Sequence, residues 1–174
     1  CSSDLAPTPS GYLHVGNLVN AALVNAVARE GSGTTLLRID DADTQRTRTE
    51  YLHDIFRAMQ WLPMQIDVGP RTFEEFPAWS QALRREAHWQ TLADLASNNA
   101  PLFVCRCTRT EVVDGRCVRG CHGLLDDFDS HANSHVVRLR SQNEDTVLWG
   151  RFGPAYHLCS VSDDITFGVT HVVR

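Results

Sequence analysis

The chain has 174 residues, with 16 lysines and arginines against 21 aspartates and glutamates, a formal charge of −5. That length holds one domain, or one domain carrying a small insertion, with a self-supporting core. The acidic balance excludes a protein built to coat nucleic acid non-specifically, while leaving room for a local basic patch. The absence of any apolar run of about eighteen residues excludes a membrane-spanning helix. The first residues, CSSDLAPTPSG, carry neither a basic nor an apolar leader, so no signal peptide is expected.

Residues 5–10 read as a short apolar start followed by a turn, and Pro7 and Pro9 each remove a backbone donor, so the segment is extended without being a central strand. From Asn17 to Glu30, Leu18, Ala21, Ala22, Asn25 and Ala26 recur at helical spacing, with Gly31 as C-terminal cap. TTLLRI, residues 34–39, has the composition of a buried parallel strand. Strand, turn, helix and strand in that order predict an α/β domain. DDADTQRT then leads into a helix over 50–62, lined by Tyr51, Leu52, Ile55, Phe56, Met59 and Leu62 and ended by Pro63. A further helix is expected over 80–95, with Leu83, Ala87, Leu92 and Leu95 as its apolar stripe.

LFVCRC, 102–107, is strand-like, and beyond Cys105 the composition turns to Cys, Gly, Asp and His with little apolar period. HVVRLR (135–140) and DTVLW (145–149) predict a hairpin around SQNE. AYHLCSV (155–161) and THVVR (170–174) read as strand-like runs joined by SDDITFG. The expected division is 1–104 as the first half of a nucleotide-binding domain, 105–150 as a metal-stapled insertion with its hairpin, and 151–174 as a truncated return to the core.

Four of the six cysteines fall between Cys105 and Cys121, while Cys1 and Cys159 stand apart. Cys105-x-Cys107 and Cys117-x3-Cys121 supply four thiolates able to wrap one tetrahedral zinc, with His122 as a substitute ligand. Filling all four positions makes the role structural, and clustering of this kind fits a reducing cytoplasm better than a disulfide framework. Buried reduced thiols are the competing reading.

The segment APTPSGYLHVGN, residues 6–17, places two prolines, two glycines, two small hydroxyls and His14 ahead of the first long helix. Gly11 and Gly16 allow close backbone approach to a polyanion, a helix beginning near Gly16 points amides at phosphate, and His14 can donate to a phosphoryl oxygen. A plain turn with a surface histidine accounts for the same spacing.

The segment resembles the APSPTGxLHxG signature of class I aminoacyl-tRNA synthetases, in the glutamyl-tRNA synthetase branch. LLRIDDAD (36–43) is similar to that family's LRIEDTD, and PAYHLCSVSDDITFGVTHVVR (154–174) to its PxYHLAxVVDDxxxGITHVxR. Within the family, the chain resembles the truncated, zinc-containing glutamyl-Q tRNA(Asp) synthetase branch. The resemblance implies a Rossmann-like α/β catalytic domain that activates glutamate or a related amino acid with ATP and magnesium, then transfers it to tRNA or a modified tRNA nucleoside. It places His14, Gly16 and Asn17 in the HIGH motif and Ala6, Pro7 and Ser10 beside ATP. It places Asp4, Thr8, Asp40, Tyr156, Ser160 and Arg174 at the substrate, and a zinc on the four cysteines. A monomer without membrane association is expected.

Departures accompany these matches. Asp4 stands where the family has an arginine that binds substrate carboxylate, and like charges at close range disfavour each other. Asp40 is shorter than the usual glutamate, and no KMSKS-like lysine loop precedes Arg174, so this piece alone is expected to be catalytically weak. The alternative is an inactive paralogue that binds a nucleotide or amino acid. A purely structural zinc protein would leave the His14 segment idle. Arg38 is expected to pair with Asp41 or Asp43, or else to face RNA, because a buried charge needs a partner. Asp163-Asp164 reads as a magnesium site or a turn cap, and His157 as a neighbour of the substrate beside Tyr156. The four tryptophans read as core or interface residues, and histidines 53, 88, 131, 135 and 171 as non-catalytic.

Overall fold

A computed structural model of the chain describes residues 2–125, 128 and 135–173. These form two compact units, one of residues up to Arg84 and from Val161 onward, the other Arg85–Ser160.

The first unit begins with strand β1 (Ser2–Leu5), helix α1 (Val15–Glu30) and strand β2 (Thr34–Leu37). β1 and β2 pair in parallel from Ser2↔Thr34 to Leu5↔Leu37. Parallel bridges Ser3↔His171 and Leu36↔Val68 add a line of chain on either side. The expected α/β character is therefore present, with the parallel strand one turn of sequence earlier than the Pro7–Pro9 segment. α1 packs through Ala21, Val24 and Ala28, a seam of small side chains that lets the helix axis lie close to the sheet. It starts two residues before the expected Asn17. At its end Gly31 is the C-cap as expected, with an ordinary φ of −82°, and the next residue, Ser32, takes a positive φ of 50°.

Helix α2 (Thr49–Trp61) buries Leu52, Ile55, Phe56 and Met59, at i, i+3, i+4 and i+7, as its sequence period requires. Together with Leu5, Ala21, Val24, Leu37, Ile39 and Phe76 they make the core of this unit. Gly69 has a φ of 105°, and a Cβ there would lie 2.1 Å from the carbonyl oxygen of Leu37, so only glycine lets residue 68 run against β2.

The helix expected over 80–95 is split. Gln81–Arg84 is a 3₁₀ turn of the first unit, and helix α3 (Arg85–Ser97) opens the second. Leu83 is exposed, as is Ala87; the buried stripe is His88 and Leu92, with Trp89 and Leu95 partly covered. Of the expected stripe, Leu92 and Leu95 do face the core, while Leu83, in the 3₁₀ turn before the break, and Ala87 do not.

The second unit continues with β3 (Leu102–Cys105), β4 (Val112–Val113), β5 (Arg116–Cys117), β6 (Val136–Arg140), β7 (Asp145–Gly150) and β8 (Gly153–Pro154). β3, β6, β7 and β8 form an antiparallel sheet in that order, which includes the expected β6–β7 hairpin. Leu92, Val137, Leu148, Trp149 and Leu158 form its core. Trp149 and Trp89 meet edge to face, at 5.0 Å between centroids.

Residues 155–168 correct the sequence reading. Tyr156–Thr166 is a helix, α4, rather than a strand and a loop. Leu158, Cys159, Ser162 and Asp163 are buried while Tyr156, His157, Val161 and Ile165 are exposed, a helical repeat that polar residues at the buried positions conceal. Of residues 170–173, only His171 bridges to β1, and the Thr170 and His171 amides both donate to the Ser2 carbonyl. Among the described residues no helix is long and apolar enough to cross a membrane.

Candidate active site and metal centre

The segment 6–14 is strapped in place by backbone. Pro7 O accepts from the Asp40 amide (3.0 Å), Pro9 O from the Arg48 amide (3.2 Å), and the Leu13 amide donates to Asp54 (3.1 Å). Tyr12 meets Tyr51 edge to face at 4.9 Å. Thr8, Ser10, Tyr12, His14 and Gly16 stay exposed, with Ala6, Pro7, Gly11 and Asn17 half-buried. The prolines thus turn their carbonyls to β2 and α2 while the hydroxyls and the imidazole face outward.

His14 caps α1. Its Nδ1 accepts from the Gly16 amide (3.1 Å), and Asn17 Oδ1 accepts from the His14 amide (2.9 Å). A neutral imidazole accepting at Nδ1 carries its proton on Nε2, so that nitrogen is a donor. A Cβ at Gly16 would lie 3.0 Å from His14 Cε1, which makes glycine the residue that admits this ring position. The expectation of free amides at the helix mouth is corrected here. The Gly16 amide is held by His14 Nδ1 and the Asn17 amide by His14 O (2.9 Å).

Behind this loop lies a buried ionic centre. Arg38, 3% exposed, directs Nε to Asp40 Oδ1 (2.8 Å), Nη2 to Asp4 Oδ2 (3.3 Å) and Nη1 to Asp164 Oδ1. The expected partners Asp41 and Asp43 are elsewhere. Asp41 accepts from the Gln81 amide (2.7 Å), and Asp43 pairs with exposed Arg46 (3.0 Å). Parallel pairing sets Asp4 opposite Leu36 and so close to Arg38, a proximity that adjacency in sequence cannot reveal. Arg84 grips Asp163 with Nε and Nη2 (2.9 and 2.8 Å), and Gln81 Nε2 bridges Asp40 Oδ1 and Asp163 Oδ2 (2.9 and 2.8 Å). Asp163 and Asp164 are thus ion-pair partners, and Gln81 and Arg84 are members that sequence reasoning missed, since neither stands in a motif.

Burial pushes the Asp40 carboxyl up to about 6; Arg38 opposes the shift, and Asp163 and Asp4 add to it. Burial also raises Asp4, again against Arg38. Burial alone would lower Arg38, but Asp40, Asp164 and Asp4 hold it charged. A carboxyl raised in the folded state stabilises below the unfolded value near 3.8 and loses that contribution as pH rises through about 6. Asp40→Asn should therefore gain on the parent chain by roughly 3 kcal/mol between about pH 4 and pH 7. Urea midpoints of the two proteins across that range check this; a constant difference refutes it.

Among the other expected substrate residues, Tyr156 opens α4 and is 49% exposed, whereas Ser160 is 4% exposed; both belong to the second unit. Arg174 lies outside the described residues, as do Cys1 and His131. Asn20 Nδ2 donates to the Val173 carbonyl (3.0 Å), which fixes the described end beside α1. Cys159 Sγ lies 3.7 Å from His88 Nδ1 in the interior of the second unit.

The second unit also carries the cysteine centre. Cys105 ends β3, Cys107 follows it, Cys117 lies on β5 and Cys121 just beyond. Asp114 and Gly115, both at positive φ, make the two-residue turn that folds β5 back on β4. The four sulfurs all lie within 4.8 Å of one another, with Cys107 3.3 Å from Cys117 and 3.8 Å from Cys121. A tetrahedral zinc with bonds of about 2.3 Å sets its sulfurs roughly 3.8 Å apart, so the donors present fit such an ion. His122 is not part of this group. Burial pushes the Cys107 thiol up to about 12, with the neighbouring thiols adding to it. At Cys117 burial acts in the same direction, yet hydrogen bonds from Cys121 and Cys107 bring it down to about 7.

The family model describing tRNA synthetases class I (E and Q), catalytic domain, matches residues 3–119. The glutamyl-Q tRNA(Asp) synthetase of Synechococcus sp. (strain CC9605) is 32% identical over 192 residues, covering 97% of this chain and 58% of its own. The glutamate–tRNA ligase 1 of Nitrosococcus oceani is 33% identical over 200 residues, covering 97% of this chain and 41% of its own. The chain thus spans about two fifths to three fifths of the length of these relatives. The crystal structure of a glutamate tRNA ligase from Elizabethkingia meningosepticum, in complex with its amino acid, superposes with a TM-score of 0.76 at 20% identity, over 98% of this chain and 43% of that one. At that identity the likeness establishes the fold alone, a Rossmann-like α/β domain.

Proposed function

The chain belongs to the class I tRNA synthetase (E and Q) catalytic-domain family, and from that premise we propose that it activates an amino acid of the glutamate–glutamine kind with ATP. The acyl group then passes to tRNA or to a modified tRNA nucleoside, as in the glutamyl-Q branch. Ala6, Pro7, Ser10, His14, Gly16 and Asn17 border the magnesium-bound ATP, and Thr8, Asp4 and Asp40 border the amino acid. A single zinc on Cys105, Cys107, Cys117 and Cys121 is structural. The observation that carries the reading is the exposed His14 ring, held by the Gly16 amide donating to its Nδ1, which leaves Nε2 as the donor of the neutral imidazole. A pre-set donor of this kind stabilises charge developing on a transferring phosphoryl oxygen without reorganisation. No protein nucleophile is needed, since positioning and charge stabilisation suffice.

Amino-acid-dependent exchange of pyrophosphate into ATP, by the protein that contains this chain, tests the reading. His14→Asn keeps a good helix cap and loses the Nε2 donor. Its exchange rate is expected to fall by about 10²-fold or more, with a thermal midpoint near that of the parent. Exchange that survives the substitution would reject the assigned role. The second reading, a binding paralogue without turnover, is favoured by Asp4, which neutralises Arg38 inside the site. ATP binding without exchange for any amino acid would select it.

A further inference from the structure

The segment that ends in His14 is held by two helices, and only one of them is the helix that His14 caps. α1 fixes the ring: the Gly16 amide donates to Nδ1 (3.1 Å), and the His14 amide donates to Asn17 Oδ1 (2.9 Å). α2 fixes the two residues before it. Asp54 Oδ2 accepts from the Leu13 amide (3.1 Å), and the Tyr51 ring meets Tyr12 edge to face with centroids 4.9 Å apart. Positions 51 and 54 share one face of a helix, and here they engage two successive residues of the loop.

The straps on Pro7 and Pro9 are of a different kind. They join backbone to backbone, well ahead of the imidazole. Asp54 acts on the residue next to it. The Asp54 side chain is 16% exposed, and its two oxygens divide their work, Oδ2 taking the amide and Oδ1 pairing with Arg57 Nη2 at 2.6 Å. Arg57 is 78% exposed, so the ion pair adds little stability of its own; its effect is to keep the carboxylate turned. A carboxylate accepting from a backbone amide makes a charge-assisted bond, stronger than one between neutral groups. Leu13 also packs against the core to which α2 contributes Leu52, Ile55 and Phe56.

We propose that Asp54 is a positioning residue, which through the Leu13 amide sets where the His14 ring stands against the phosphates of the nucleotide. This rests on the reading that His14 acts at those phosphates, and adds the residue that places it. The cap ties the ring to α1, but the backbone at His14 is extended, with φ −111° and ψ 170°, so the chain enters the cap from outside the helix. Without a second anchor, residues 12 and 13 can swing about that joint and carry the imidazole with them. Placement matters steeply, since a shift of about 1 Å can cost about 100-fold in rate. A clamp from a second helix removes the freedom before any ligand arrives, so no reorganisation is left for the reaction.

The test joins amide hydrogen exchange at Leu13, followed by NMR, to amino-acid-dependent pyrophosphate exchange, both in the protein that contains this chain. In the parent the Leu13 amide should exchange at least about 10-fold more slowly than an unprotected amide. Asp54→Asn keeps a carbonyl oxygen for that amide, whereas Asp54→Leu has none. Protection should persist in the first variant and vanish in the second. Turnover should follow it, with kcat within about 3-fold of the parent in Asp54→Asn. In Asp54→Leu kcat should fall at least about 10-fold, while KM for ATP changes by less than about 3-fold. Placed on top of His14→Asn, Asp54→Leu should cost less than about 2-fold more, because it acts through the imidazole. An unprotected Leu13 amide in the parent overturns the proposal without any variant, so an Asp54→Leu chain that does not fold leaves it decidable. Equal losses in the Asn and Leu variants overturn it as well, since charge or helix stability would then matter rather than the acceptor. An additive loss in the double variant does the same. A parent with a protected Leu13 amide but no pyrophosphate exchange for any amino acid removes the functional reading, and with it the role of Asp54, while leaving the clamp itself established.

Discussion

Replacing Arg38 with methionine is expected to destabilise the chain by about 3–5 kcal/mol at neutral pH, because three carboxylates lose their common counter-charge inside the protein. Arg38 is 3% exposed, and Asp4 and Asp40 are 8% and 5% exposed, so water cannot take its place. The pH dependence makes the test specific. Asp40 titrates near 6 even with Arg38 opposing the burial, and Asp4 is raised too. Without the guanidinium both rise further, so the variant holds its protons to higher pH than the parent does. Its deficit should therefore narrow at pH 5 and widen at pH 7.5, when both carboxylates must ionise unpaired. Denaturant unfolding at the two pH values measures this. A variant within about 1 kcal/mol of the parent at pH 7.5 would show that the network is dispensable.

What the sequence disclosed depended on whether the signal was local. α1 and α2 were legible because their buried positions recur at helical spacing and their neighbours are polar or small. The cysteine centre was legible because its ligands come in two short pairs, although the Asp114-Gly115 turn that brings the pairs together went unread. α4 was misread because its buried face carries Cys159, Ser160, Ser162 and Asp163, which look like solvent-facing residues until their partners are known. Those partners, Gln81 and Arg84 for Asp163 and Arg38 for Asp164, lie about 80 and 126 positions away in sequence. The same distance effect misassigned Arg38. Its carboxylates come from β1, from the end of β2 and from α4, and only parallel pairing of β1 and β2 brings the first two together. Long-range ionic pairing leaves no period in a sequence, so the buried ionic centre was the part least open to reading. The His14 segment lay at the other extreme, since capping and glycine contact act over two or three residues.

Cys107→Ser should abolish metal binding and dissolve the structure around residues 105–121, the largest local effect expected of any single change in the second unit. Cys107 is 6% exposed and approaches two other sulfurs most closely, so its loss removes the hub of the cluster. Besides the sulfurs, this segment is held by the Cys117 amide on Asp145, the Asp145 amide on the Gly115 carbonyl and the Arg119–Glu111 pair. β4 and β5 are two residues each, and the small core here consists of Phe103, Cys105 and Cys107 with Val112, Cys117, Cys121 and Val136 packed against it. All four ligands are therefore also part of this core, two of them buried, and binding free energy becomes folding free energy, on the order of 10 kcal/mol for zinc in small zinc-dependent folds. The parent purified without chelator should carry about one zinc per chain by elemental analysis. Amides of 103–121 should resist hydrogen exchange in the parent and exchange rapidly in the variant. A chelator should reproduce the variant's exchange pattern in the parent and expose four titratable thiols, whereas a disulfide would withhold two of them. Protection that persists in metal-free parent chain would mean that packing of the reduced thiols suffices, because the hydrophobic contacts of Phe103 and Val112 would then be holding the segment without a cation.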